Sequence, residues 1–327
     1  MVAEQAFEKL RSIAGVYVEM AAPLARYTRF ALGGPATVFA ETPVEAAFIA
    51  ALAVARDSGI NFEVLGGGTN LIVSDAGYNG IVLRYNANSL RAEGTTVWAD
   101  AGADLNLLVD FLNNSALEGL QTLAGIPGWT GAAVYGNAGA YGHSMMERVN
   151  RVRFFDGHTV RSIDNQGCEF RYRESIFKRN KNWIIFNVEL SMSPGDAPSL
   201  RQISAGIRKV RDEKFPPTMK CAGSIFKNFL LKELPESVRN QVPEKVVRDG
   251  KVPAAYFLEQ VGAKGWIDGG IHVASYHANL IYNDGTGTAT QLCRVIGELK
   301  QRIAQRYSMP LEEEVQFVGF DGQRSPA

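Results

Sequence analysis

Residues 65–75 read Leu65-Gly66-Gly67-Gly68-Thr69-Asn70-Leu71-Ile72-Val73-Ser74-Asp75, a triple glycine that leaves an apolar run and ends among small polar residues. Glycine has no Cβ, so consecutive glycines let backbone N–H groups turn inward and approach an anion closely, and the stretch reads as a cradle for phosphate. It is not a P-loop, because no Gly-Lys-Ser/Thr follows. The dinucleotide fingerprint also fails, since Gly66-x-Gly68 requires a third glycine at position 71, where Leu71 stands. Taken alone, the segment also reads as a tight surface turn between strands. A second glycine-rich segment favours the cradle: Ala124-Gly125-Ile126-Pro127-Gly128-Trp129-Thr130-Gly131, running on to Asn137-Ala138-Gly139-Ala140-Tyr141-Gly142. Two such loops can grip a pyrophosphate from both sides.

Around the first glycines the pattern is strand, helix, strand. Residues 36–40 read as a strand, Thr42-Pro43-Val44-Glu45 as a capped helix start with a capping-box glutamate, and 62–65 as the strand that delivers the glycines. Strands are expected at 80–85 and 96–101, a helix at 104–114, a hairpin at 149–163 turning at Asp156-Gly157-His158, and a buried strand at 183–190. The loop Ser193-Pro194-Gly195-Asp196-Ala197-Pro198 marks a boundary. Helices follow at 200–213, 253–261 and 288–307. In the last of these Leu292, Val295, Ile296, Leu299 and Ile303 form one apolar stripe. A short strand at 314–318 is expected to return to the earlier sheet.

The 327 residues exceed one ordinary core. Basic and acidic residues number 34 each, so no global field points to nucleic acid or an anionic membrane. The apolar content of 46% with 33 glycines and 13 prolines suits a soluble α/β enzyme. Cys168, Cys221 and Cys293 are widely spaced, which argues against disulfides and structural zinc and for a reducing, cytoplasmic setting. The four histidines lack metal-ligand spacing, so no metal is expected. Residues 1–15 carry charges through their apolar positions and read as a short amphipathic helix, neither a signal peptide nor a membrane span.

Three further clusters carry polar chemistry. Phe170-Arg171-Tyr172-Arg173-Glu174-Ser175-Ile176-Phe177-Lys178 alternates cations that suit an anionic ligand, or a strand edge with solvated charges. Cys221-Ala222-Gly223-Ser224-Ile225-Phe226-Lys227-Asn228 presents a hydroxyl at a small-residue turn, readable also as a helix cap. Leu311-Glu312-Glu313-Glu314 is acidic, readable also as a solvated turn.

These segments, with Tyr27-Thr28-Arg29-Phe30 and Gly33-Gly34-Pro35-Ala36, occur in an order that resembles the UDP-N-acetylenolpyruvoylglucosamine reductase (MurB) family over about residues 20–320. The resemblance implies an α+β chain: a two-domain FAD-binding fold of the vanillyl-alcohol-oxidase type plus an inserted α/β substrate-binding domain. Its boundaries would fall at 1–79, at 80–198 with a return at 312–327, and at 199–311. It implies non-covalent FAD, NADPH as hydride donor, a UDP-sugar enolpyruvyl ether as substrate, and no obligate protein partner. Carried over by position, the proton donor falls on Ser224, the catalytic arginine on Arg173 and the catalytic glutamate on Glu314. Cofactor contacts fall on Gly66, Gly67, Gly68, Thr69, Asn70, Leu71, Gly125, Ile126, Pro127, Gly128, Gly131, Asn137, Gly139 and Ala140. Substrate contacts fall on Tyr141, Tyr172, Lys227, Asn228, Lys264 and Asn279. The pyrophosphate is expected on backbone N–H groups of residues 67–70 and 125–128, with Gly68→Val giving colourless protein. The chain departs from the family at Phe229, where a proline is usual, and in a long segment at 230–251. It resembles the subclass that lacks a tyrosine-bearing loop.

Overall fold

The computed structural model describes residues 2–320. Its internal contacts divide the chain into two units. The first comprises Ala36–Gly67, Asn79–Pro216 and the residues up to Ala22; the second comprises Pro23–Pro35, Gly68–Tyr78 and the residues from Pro217 onward. The division falls inside the triple glycine, between Gly67 and Gly68.

In the first unit the alternating segments close into a five-stranded antiparallel sheet, in the order Val160–Asp164, Val149–Phe155, Ile184–Ser191, Thr96–Asp100, Leu90–Glu93. Asp156 makes the hairpin turn by accepting from the N–H groups of His158 and Thr159, both at 2.8 Å. The helix Leu105–Asn114 is capped by Asp104 and buries Leu105, Leu108, Val109 and Leu112 in the core that holds Val97, Val152, Phe154, Phe186 and Val188. Each such side chain stabilises the fold by about 1.5–3 kcal/mol when removed from water.

Two expectations change here. The capping box at residues 42–45 does not form: the helix is Glu45–Asp57, Thr42 Oγ1 accepts from Val44 N–H at 3.1 Å, and the Glu45 carboxylate pairs with Arg153. The boundary near 199 also moves. The helix Ala197–Lys214 packs on Leu105–Asn114, with Arg208 bonded to Asp110 at 2.6 Å and Asn113 to Ser204 at 2.9 Å, so it belongs to the first unit.

The first glycines follow a four-stranded sheet ordered Tyr17–Pro23, Pro35–Thr42, Tyr78–Tyr85, Phe62–Val64, the last pair parallel. The terminal strand does not return to the earlier sheet: Gln316–Val318 pairs in parallel with Leu71–Val73 in a separate two-stranded sheet of the second unit, and 321–327 of the expected return lie outside the described residues. A three-stranded meander, Ile267–Asp268, Ile271–Val273 and Ile281–Asn283, accompanies the helix Ala289–Tyr307, whose apolar stripe is fully buried. Among the described residues no helix is long and apolar enough to cross a membrane, and no group of His, Cys, Asp or Glu could hold a metal ion.

Candidate active site

The two glycine segments meet within the first unit. A Cβ at Gly66 would touch only Ala132, at 3.6 Å, and one at Gly67 would press on the Trp129 ring at 3.1 Å. Beneath them lies Arg84, 8% exposed, whose Nε donates to the Gly66 carbonyl at 3.2 Å. Its guanidinium lies 4.5 Å from the Trp129 ring centroid and pairs with Glu41 at 3.2 Å. Gly66 itself is exposed. A loop without side chains, floored by a fixed guanidinium, suits the close approach of a phosphate.

Gly68, in the second unit, is glycine for a different reason. It has φ +69°, and a Cβ there would collide with the Tyr27 carbonyl, while its own carbonyl accepts from Arg29 N–H at 3.3 Å. Thr69 follows half-buried. The Asn70 amide donates to the Glu314 carbonyl at 2.8 Å, and the Asn70 carbonyl accepts from Gln316 N–H at 3.0 Å. Leu71 opens the strand that pairs with Gln316.

The second glycine segment offers fewer donors than expected. Gly125 N–H donates to Asn106 Oδ1 at 2.6 Å, Ile126 N–H donates to the Leu123 carbonyl at 3.0 Å, and Pro127 has no N–H. Only Gly128 of this turn is left to serve as a backbone donor in the way expected. Gly131 is set by packing, since a Cβ would lie 2.7 Å from that of Ala101. Asn137 is 2% exposed and structural: its amide donates to the Arg171 carbonyl at 2.9 Å and accepts from Met146 N–H at 3.1 Å. Gly139 and Ala140 form a short strand pair with Ser144 and His143, leaving Tyr141 55% exposed at the turn.

Residues 170–178 form no strand edge. Arg171 and Glu174 close a turn through reciprocal backbone bonds, and Ser175 caps the short helix Ile176–Arg179. Inside that turn Arg173 adopts φ +57°, its Nη2 donates to the Gly139 carbonyl at 2.9 Å, and its guanidinium lies 5.2 Å from the Tyr172 ring. A left-handed backbone at a bulky residue costs about 1–3 kcal/mol and concentrates at functional sites.

Ser224, Glu314 and Asn70 share one hydrogen-bonded ladder in the second unit. Ser224 bridges Leu280, Glu314 N–H donates to the Ile225 carbonyl at 2.7 Å, and Lys227 N–H donates to the Glu312 carbonyl at 2.9 Å. Since Asn70 bonds the Glu314 carbonyl, the ladder runs from the loop after the glycines through the acidic segment to the serine. No helix starts at Ser224, so it is not a cap. Strand alternation does not rank the three glutamates, because the strand begins only at Gln316. Glu312 is paired to Lys227 at 2.5 Å and Glu313 to Lys300 at 2.8 Å.

The remaining candidates separate. The side-chain oxygen of Asn228 accepts from Ala254 N–H at 3.2 Å, and Lys264 pairs with Glu259 at 3.0 Å near the surface. Asn279, expected to touch ligand, is 2% exposed and commits its amide to both backbone groups of Phe226. Sequence reasoning missed Arg84 and Asn106. Arg84 lies in a strand otherwise rich in apolar residues, and an arginine in such a run was the signal that could have been followed.

Family models match on both sides of this arrangement: an FAD binding domain over residues 36–160, and the C-terminal domain of UDP-N-acetylenolpyruvoylglucosamine reductase over 215–318. A UDP-N-acetylenolpyruvoylglucosamine reductase of Solibacter usitatus is 63% identical over 95% of this chain and 100% of that protein. That of Bacillus subtilis is 30% identical over 91% of this chain and 92% of its own length. The crystal structure of the Thermus caldophilus enzyme superposes with a TM-score of 0.71 at 25% identity, over 93% of this chain and 98% of that one.

Proposed function

The chain belongs to the UDP-N-acetylenolpyruvoylglucosamine reductase family, and we infer that it reduces UDP-N-acetylglucosamine enolpyruvate to UDP-N-acetylmuramate with NADPH through bound FAD, a step of peptidoglycan precursor synthesis. Its fold is α+β, with an FAD-binding part, proposed to be of the vanillyl-alcohol-oxidase type, and a substrate-binding part. The fit of a flavin nucleotide rests on the side-chain-free loop at Gly66 and Gly67 above Arg84 and Trp129. When bound, FAD supplies the hydride, taken from NADPH and passed to the outer carbon of the vinyl ether.

Hydride addition there leaves charge on the enolate formed with the substrate carboxylate, and fixed cations stabilise such charge. Arg173 is proposed for that task because its fork suits a bidentate grip and its backbone is held strained. Ser224 is proposed to protonate the neighbouring carbon. A hydroxyl is a weak acid, so the role requires contact and relief of the resulting alkoxide by positive charge. Lys227, with its side chain 11% exposed, is the nearby candidate, its charge shared with Glu312. Glu314 is proposed as the catalytic carboxylate. The observation that carries these last two roles is the ladder that ties Glu314 to the residue after Ser224.

The substrate-binding part is proposed to begin after residue 216, with the FAD-binding part before it. A cytoplasmic location is proposed from the three free, buried cysteines, which suit a reducing compartment. Purified protein is expected to carry flavin absorbance and to oxidise NADPH only when the UDP-sugar is supplied. Oxidation without that dependence overturns the function. Acid precipitation is expected to leave the flavin in the supernatant, since residues 66–70 hold no His or Cys for a tether.

A further inference from the structure

The segment that follows Ser224 is gripped from both edges. On one edge Glu314 N–H donates to the Ile225 carbonyl at 2.7 Å and Lys227 N–H to the Glu312 carbonyl at 2.9 Å. On the other, Asn279 makes three bonds. Its carbonyl accepts from Ile225 N–H at 3.2 Å, its Oδ1 accepts from Phe226 N–H at 2.9 Å, and its Nδ2 donates to the Phe226 carbonyl at 2.9 Å. Ile225 is 0% and Phe226 1% exposed, so water cannot replace these partners. Gly223, on the other side of the serine, has φ +81° and nothing within 4 Å of where a Cβ would stand. The Ser224 backbone is therefore held by its own bridge to Leu280 and by the bonds on its C-terminal side.

We propose that Asn279 is a positioning residue: by clamping both backbone groups of Phe226 it fixes where the Ser224 hydroxyl stands, and it makes no contact with the substrate. The inference rests on the reading of Ser224 as proton donor. Proton transfer needs the donor in contact, and a displacement of about 1 Å can cost up to about 10²-fold in rate.

The test uses flavin-loaded full-length protein and the variants Asn279→Ala, Ser224→Ala and their combination. Asn279→Ala is expected to bind the UDP-sugar with unchanged affinity by calorimetry and to be reduced by NADPH at the normal rate. It should speed amide hydrogen exchange in residues 223–228 and slow reoxidation by substrate by up to about 10²-fold. In the Ser224→Ala background it should slow reoxidation no further, because a residue that acts through the serine has nothing left to position. Weakened affinity, or additive losses, overturns the inference. Normal reoxidation in Asn279→Ala with slow reoxidation in Ser224→Ala removes the inference alone, whereas normal reoxidation in Ser224→Ala removes the serine reading and the inference with it. If Asn279→Ala does not fold, Asn279→Asp keeps the size and the acceptor. Its carboxyl regains a donor for the Phe226 carbonyl only when protonated, so reoxidation relative to wild type should recover as pH falls. A flat ratio overturns the inference.

Discussion

Gly66 and Gly68 stand two positions apart under opposite constraints. At Gly66 the protein leaves room for a methyl group, so Gly66→Ala should fold with an unchanged melting temperature and lose flavin affinity, because the added carbon enters the space a phosphate would use. Full flavin occupancy in that variant would place the cradle elsewhere. At Gly68 the clash is with the chain's own Tyr27 carbonyl at a left-handed φ, so Gly68→Val tests folding before it tests flavin binding. The glutamates divide in the same way. Glu312→Gln and Glu313→Gln loosen ion pairs to Lys227 and Lys300, while Glu314→Gln alone is expected to abolish most turnover; equal activity in all three would remove Glu314 from the chemistry. At the cysteines, burial first and nearby acidic groups second push the Cys168 and Cys293 thiols up to about 12. A raised thiol pKa leaves the unreactive neutral form at neutral pH, so iodoacetamide should label both only after denaturant is added. The glycines and the Ser224 turn were legible because their motifs are contiguous. The Arg84 floor and the Asn106 bond to Gly125 were not, since each joins residues about 20 apart that no local pattern relates.

Among the elements, the Ala289–Tyr307 helix joins what sequence could and could not show. Its buried stripe follows from the 3.6-residue period alone. Its start is completed from far away: Thr288 accepts from Gln291 N–H at 3.1 Å, and Asp75, 214 residues before Ala289, accepts from Ala289 and Thr290 N–H, both at 2.8 Å, and from the Thr290 hydroxyl at 2.7 Å. Asp75 also ends the segment that begins with the triple glycine, so one carboxylate ties that segment to the longest helix of its unit. Asp75→Ala should destabilise the protein by about 1 kcal/mol, with Asp75→Asn recovering part of it. A denaturation midpoint unchanged in Asp75→Ala would show that the Thr288 cap suffices. The failed capping box at Glu45 is the converse case. Its local signature was sound, and a tertiary partner, Arg153, took the carboxylate instead.

For the molecule as a whole, the unit boundary within the glycines and the pairing of Gln316–Val318 with Leu71–Val73 have one consequence. The second unit contains the end of the glycine segment, the acidic turn and the serine turn in one hydrogen-bonded frame. That arrangement could not be read from the order of the motifs, because its strands come from residues near 70, 225, 280 and 315. Nor could the first unit's claim on the Ala197–Lys214 helix, whose only local boundary signal was the loop before it. This frame is proposed to deliver a proton from Ser224 after hydride transfer. The direct measurement is stopped-flow absorbance of the two half-reactions in wild type and Ser224→Ala. Bleaching by NADPH should proceed at the same rate in both, while reoxidation by the UDP-sugar should slow by about 10²–10⁴-fold in the variant. Equal slowing of both half-reactions, or normal reoxidation without the hydroxyl, would contradict it.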